Sequence, residues 1–257
     1  MRYSIRLSYD GAPFSGWQVQ PQSPTVQQCL QDALGTLLKA ETSVTGAGRT
    51  DTGVNAVNYA AHFDAPEGLD TADLTYKLNA ILPPAVTIHE IRPEDAGFHA
   101  RFDAVRRTYT YFIHRKKDPF AARFSYLCAW PGLDFDKMNE AAASLLGTHD
   151  FSCFEKTGGN NKTSVCTVFE AYWAPYVPDH CAVAGYPEGN GREWWYFRIS
   201  ADRFLRNMVR AVVGTLIEVG RGRRNPSSVA ELIGSGTRSD AGESVPGHAL
   251  FLTGVEY

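Results

Sequence analysis

The chain has little of what marks a metal, disulfide or membrane protein. Its five cysteines (Cys29, Cys128, Cys153, Cys166 and Cys181) are odd in number, widely spaced and never arranged as C-x-x-C. That spacing argues against a disulfide framework and against a zinc site. The seven histidines are equally scattered and form no H-E-x-x-H pair, so no metal and no cofactor is expected. No run approaches the roughly 20 apolar residues of a membrane span. The opening MRYSIRLSY alternates in character and has no apolar signal core, which makes a cytoplasmic protein the expectation. No G-x-S-x-G elbow is present, so a serine hydrolase has no support.

What is present suits a globular protein that meets an anion. At 257 residues, 44% hydrophobic and 21% charged, the chain can bury one large core or two smaller ones. Net charge is only −3, yet the positive charge is clustered and Arg outnumbers Lys more than two to one. The clusters are Arg106-Arg107, Arg115-Lys116-Lys117 and Arg221-Gly222-Arg223-Arg224. A guanidinium fork matches phosphate better than an ammonium point charge does. Local basic patches on a near-neutral chain are compatible with RNA and do not by themselves establish it.

Periodicity sets out the elements. Tyr3, Ile5, Leu7 and Tyr9 alternate with polar residues, as in a strand. Val26, Cys29, Leu30, Ala33, Leu34, Leu37 and Leu38 follow helical spacing, and Thr25 with Gln28 makes a capping box in front of them. Strands are expected near 42–47, 57–63 and 86–92, with a helix over 71–81 stopped by Pro83-Pro84. The second half repeats the order. A strand carries Tyr109, Tyr111 and Ile113, a helix spans 135–146, strands span 164–173 and 193–200, and a long helix spans 204–219. A short helix near 227–233 and a closing strand over 249–256 complete it. Two successive β-α-β-β-α-β units predict an α+β fold of two ferredoxin-like halves, 1–103 and 104–257. The halves are expected to join into one large, mostly antiparallel sheet with helices on one side and a catalytic cleft between them. On the long helix, Arg203, Arg206 and Arg210 would share roughly 60° of arc at about 100° per residue.

The most informative run is Gly46-Ala47-Gly48-Arg49-Thr50-Asp51-Thr52-Gly53-Val54. It sets one carboxylate, Asp51, in a glycine-flanked turn that allows close backbone approach, with a cation two residues before it. Asp51-Thr52-Gly53 is also the triplet of aspartic proteases, but those need two such carboxylates and the chain has one copy. The run 156–163 has some likeness to a phosphate loop, yet Asn161 stands where glycine should precede the lysine. A single ionised aspartate in a basic setting can attack or stabilise a sugar without a metal.

These residues resemble the tRNA pseudouridine synthases, specifically the A-type family that acts on the anticodon arm. The likeness runs nearly end to end: Tyr9-Asp10-Gly11, Phe14-x-Gly16-Trp17-Gln18-x-Gln20, Thr25-Val26-Gln27, Gly48-Arg49-Thr50-Asp51-x-Gly53-Val54, Phe98-His99-Ala100-Arg101, Tyr109-x-Tyr111 and Phe204-Leu205-x-Asn207-Met208-Val209-Arg210. Two departures are visible: Asn55 where many relatives carry histidine, and a longer 175–191 loop. The resemblance implies that Asp51 is the nucleophilic aspartate, that Tyr109 stacks on the target uracil and assists loss of its carbon-5 proton, and that Arg210 serves the aspartate. It implies that Arg49 holds an extruded nucleotide. Substrate-binding candidates are Tyr109, Arg49, Phe98, His99, Arg101, Arg106, Arg107, Arg203 and Arg206. The implied reaction converts uridine to pseudouridine at tRNA positions 38, 39 and 40, carried out by a homodimer. A non-catalytic RNA-binding relative, stacking bases on aromatics such as Tyr109, is the alternative.

Overall fold

Tyr3, Ile5, Leu7 and Tyr9 are all buried, while the residues between them are half-exposed. That is the period-2 signature of a strand with one face on a core. The computed structural model describes residues 1–158, 162–185 and 193–257. The phosphate-loop likeness at 156–163 and the long 175–191 loop therefore lie partly outside the described residues.

In chain order the elements begin with β1 (Arg2–Tyr9), α1 (Val26–Leu38), β2 (Val44–Gly46), β3 (Asn55–Asp64), α2 (Thr71–Ile81) and β4 (Val86–Glu94). They continue with β5 (Arg106–His114), β6 (Tyr126–Leu127), α3 (Phe135–Ala143), β7 (Gly147–Asp150), β8 (Val165–Pro175) and α4 (Asp179–Ala182). The last are β9 (Trp194–Ala201), α5 (Met208–Gly220), α6 (Ser228–Ser235) and β10 (Leu250–Glu256). The fold is mixed α+β, with mostly antiparallel sheet and helices. It divides into two compact units, Met1–Arg107 with Phe251–Tyr257, and Thr108–Leu250.

In the first unit β1 is central, antiparallel to β3 on one side and to β4 on the other. The far edge of β3 takes β2 antiparallel at Ala61–Phe63 and β10 parallel at Asn55 and Ala56. The closing strand, expected in the second half, therefore packs with the first unit from Phe251 onward. Val26, Leu30, Ala33 and Leu34 form the buried stripe of α1. Each fully buried leucine contributes about 1.5–3 kcal/mol. The Thr25 hydroxyl accepts from the Gln28 amide at 3.3 Å, as the cap predicts. The Gln28 side chain instead bonds the Asp32 carboxylate at 2.6 Å, so the return half of the capping box is not made. An exposed acid one turn ahead competes successfully for that amide. The Asp70 side chain caps α2, whose bounds match the sequence expectation.

The second unit orders its strands β5-β9-β8-β7, with β6 parallel along β5. α5 is buried almost all round, through Val209, Val212, Val213, Leu216 and Val219. Two helix expectations need correction. The helix expected over 135–146 ends at Ala143, because the amides of Ser144, Leu145 and Leu146 close tighter i→i−3 turns and Gly147 takes φ +96°. The long helix starts at Met208, not Phe204. Asp202 Oδ1 accepts from Thr167 and Arg203, the Arg206 carbonyl accepts from Lys156, and Asn207 adopts φ +64°. Arg203 and Arg206 therefore precede α5 and share no helical face with Arg210. The short strands β6 and β7 and the one-turn α4 carry no periodicity that sequence reading could detect. Among the described residues no helix is long and apolar enough to cross a membrane.

Candidate active site

The Asp51 turn is clamped by a segment that passes it early in the chain. Gly16 has φ +95°, and a Cβ there would stand 2.3 Å from the Thr50 carbonyl oxygen and 3.2 Å from the Asp51 carbonyl carbon. A Cβ on Gly11 would stand 2.3 Å from the Val54 carbonyl oxygen. Only glycine permits approach this close. Main-chain bonds then fix the register. Trp17 donates to the Thr50 carbonyl at 3.2 Å, Gly53 to Phe14 at 3.4 Å and Val54 to Asp51 at 3.1 Å. The Gly11 amide donates to Asn55 Oδ1 at 2.8 Å. Asn55, the departure from the family's usual histidine, is therefore a buried acceptor that joins the two segments.

An aromatic layer backs the turn. Trp17 stacks on Tyr59 at 4.1 Å, and the Tyr59 hydroxyl donates to the Gly48 carbonyl. The Tyr9 and Thr50 hydroxyls meet at 2.9 Å in the interior. Asp51 is half-buried on this frame. Arg49 is exposed, and among the described residues its guanidinium makes no hydrogen bond or ion pair. Main-chain bonds and glycine contacts fix the backbone where the carboxylate attaches, and exposed Arg49 lies two residues before it in the chain.

The segment 98–107 joins the same unit. His62, buried on β3, accepts from the Ala100 amide at 3.0 Å. Burial first, then the Arg2 and His99 charges, lower its pKa to about 4, so the ring is a neutral acceptor. His99 Nδ1 accepts from the Arg101 and Phe102 amides, and its ring stacks on Phe102 at 4.2 Å. Phe98 packs against Tyr257 at 5.1 Å. Arg101 is exposed, 5.8 Å from the Phe102 ring. Arg107 commits its guanidinium to the carbonyls of Ala104 (2.6 Å), Ala47 (3.1 Å) and Arg101. It thereby braces the 98–107 segment onto Ala47, the residue just before the Gly48–Val54 run. Sequence reading grouped Arg107 with Arg106 as a basic cluster; Arg106 is half-buried at the start of β5.

In the second unit Tyr109 is half-buried on β5, edge-on to Phe204 at 5.1 Å. Tyr111 is fully buried; its hydroxyl donates to the Pro246 carbonyl at 3.1 Å, and burial raises its pKa far above the usual phenol value. Arg210, in the first turn of α5, donates from Nε to the Val245 carbonyl at 2.7 Å and accepts from the Val245 amide at 3.2 Å. Gly214 makes room for that segment, since a Cβ there would stand 1.8 Å from the Glu243 carbonyl oxygen. Arg203 is half-buried, while exposed Arg206 reaches the Thr157 carbonyl at 3.4 Å. Among the described residues no three His, Cys, Asp or Glu side chains gather to hold a metal ion.

The comparisons agree with one another. A family profile described as tRNA pseudouridine synthase matches residues 141–257. The chain is 44% identical over 256 residues to tRNA pseudouridine synthase A of Bacteroides thetaiotaomicron, covering 100% of this chain and 90% of that protein. It is 46% identical over 258 residues to the Parabacteroides distasonis protein of the same name, covering 100% and 96%. Identity to the Bacillus subtilis protein of that name is 37% over 265 residues, covering 100% and 99%. With the G-R-T-D-x-G-V turn intact inside such full-length likeness, the chain belongs to the tRNA pseudouridine synthase A family, isomerases of tRNA uridine.

Proposed function

We propose that the chain converts uridine to pseudouridine in the anticodon stem-loop of tRNA, at positions 38, 39 and 40. Asp51 acts on the ribose of a flipped-out nucleotide. The observation that carries this reading is the frame around Asp51: a half-buried carboxylate on a turn locked by Gly11, Gly16 and main-chain bonds, with exposed Arg49 two residues before it in the chain. Such pre-organisation keeps the geometric cost of reaction low.

The reaction is a net isomerisation. The bond from ribose C1′ to uracil N1 breaks, the base turns, and a bond from C1′ to C5 forms. The C5 proton leaves and N1 gains one, so no oxidant or cofactor is required. Asp51 supplies the nucleophilic carboxylate. Tyr109 and Arg210 are assigned by family role rather than by position: Tyr109 stacks on the uracil and assists loss of the C5 proton, and Arg210 serves as counter-ion to the carboxylate. Extruding the nucleotide costs a few kcal/mol. Arg49 helps to hold it, and Phe98, His99, Arg101, Arg106, Arg203 and Arg206 contact the RNA. Arg107 supports them through its carbonyl brace. The first unit's order, β4-β1-β3 with β2 on the outer edge of β3, supports a ferredoxin-like reading of that half. The enzyme works as a cytoplasmic homodimer.

Incubation with unmodified tRNA transcript, followed by carbodiimide treatment and reverse transcription, tests the reading. Stops at 38, 39 and 40 with the wild type and none with Asp51→Asn are expected. Stops confined to another arm overturn the positions, and equal stops with both proteins overturn the role of Asp51.

A further inference from the structure

We propose that Trp130, Arg221 and Arg223 form a docking point for the phosphate backbone of the tRNA, separate from the residues assigned to the reacting nucleotide. The proposal rests on tRNA being the substrate. The guanidinium carbon of Arg221 lies 3.5 Å from the centroid of the Trp130 ring, and that of Arg223 lies 5.9 Å from the same ring. Two like charges converge on one indole. Among the described residues neither guanidinium has an acidic partner or a hydrogen-bond acceptor.

Two other basic residues of the same sequence clusters do have acidic partners. Arg224 pairs with Glu218 at 2.5 Å, and Lys116 pairs with Glu193 at 2.9 Å. The negative end of α5 offsets roughly half a charge, too little for two guanidiniums. An anion from outside the chain would complete the balance.

The platform is fixed rather than fortuitous. Arg115 donates to the Trp130 carbonyl at 2.6 Å and to the Cys128 carbonyl at 3.1 Å, holding the backbone under the indole. The Arg221 amide donates to Ile217 and the Arg223 amide to Glu218, which seats both arginines as α5 ends. Trp130 is nonetheless 44% exposed. A guanidinium held over an aromatic ring keeps its N–H donors in its own plane, away from the ring face, where they can make a bidentate phosphate contact. Phosphate is preferred over a carboxylate partner because the substrate of this family is a polyanion. Backbone contacts of this kind set register without reading sequence.

The test is equilibrium binding of tRNA over a range of salt, which requires no turnover. For Arg221→Gln/Arg223→Gln the slope of log affinity against log salt should shrink by about 1.4–1.8, since each phosphate contact contributes roughly 0.7–0.9. Arg221→Lys/Arg223→Lys keeps both charges and should restore most of the slope. Thermal melting of both variants shows whether either has unfolded, and the Lys pair, compared with wild type at equal folding, decides if the Gln pair has. An unchanged slope in folded Gln protein overturns the proposal. So does a slope that falls equally in the Lys and Gln proteins, or a change confined to sedimentation, which would make the cluster a protein contact. A wild type that binds no tRNA would overturn the substrate reading itself, a different result from an unchanged slope.

Discussion

Gly16→Ala tests whether the Asp51 turn depends on a close backbone approach from a distant segment. The added methyl would stand 2.3 Å from the Thr50 carbonyl oxygen and 3.2 Å from the Asp51 carbonyl carbon, at a φ of +95°. A left-handed conformation costs an L residue about 1–2 kcal/mol. Overpacking against fixed atoms adds about 1–3 kcal/mol. The sum is about 2–5 kcal/mol of lost stability, read as a lower urea midpoint at constant slope. Relieving the strain separates the Gly16 segment from Thr50 and Asp51 and so disturbs the clamp on the carboxylate, and turnover should fall by more than stability does. A displacement near 1 Å at a reacting group costs about 100-fold. Turnover is read as tritium released from tRNA labelled at uracil carbon 5. Gly48→Ala is the stability control, because a Cβ there meets nothing within 4 Å. A Gly16→Ala protein with stability within about 0.5 kcal/mol of wild type and turnover within twofold would refute the argument.

Other expectations follow from single contacts. Asn55→Ala strands the buried Gly11 amide, and urea unfolding should show a loss of about 1–3 kcal/mol. Gly214→Ala drives a methyl to 1.8 Å from the Glu243 carbonyl, so its melting temperature should drop, while Gly234→Ala, within α6 and with nothing within 4 Å, should not lower it. His62 titrates near 4 in the folded chain against an ordinary 6.5. A folded value below the unfolded one means that its contribution is fully present above pH 6.5 and is lost as pH falls through 4. The loss is at most about 3 kcal/mol, and unfolding free energies at pH 7.5 and 4 should differ by correspondingly less in His62→Gln. A pH dependence identical in the two proteins would contradict the burial argument.

The period-2 face of β1 and the buried stripe of α1 were legible because both are local and regular. The start of α5 was not. Phe204-Leu205 and the residues that follow read as helix, yet Lys156 and Thr167, far away in sequence, take up the polar groups at 202–206. The capping box at Thr25 failed for a nearer reason, competition from Asp32. At the site, Gly48–Val54 pointed to Asp51 on sequence grounds, through glycine spacing and a family signature. The frame supplied by Gly11 and Gly16 did not show, because a close approach between segments leaves no periodic trace. Arg107 looked like half of a basic pair, and only its carbonyl partners reveal a brace. Trp130 carried no signal until Arg221 was seen lying across it.

The most direct test is tritium release from carbon-5-labelled uridine in tRNA by purified Asp51→Asn, with filter binding of the same tRNA measured alongside. Release at background with binding retained is the predicted result. Release at the wild-type rate would mean that this carboxylate does not perform the chemistry.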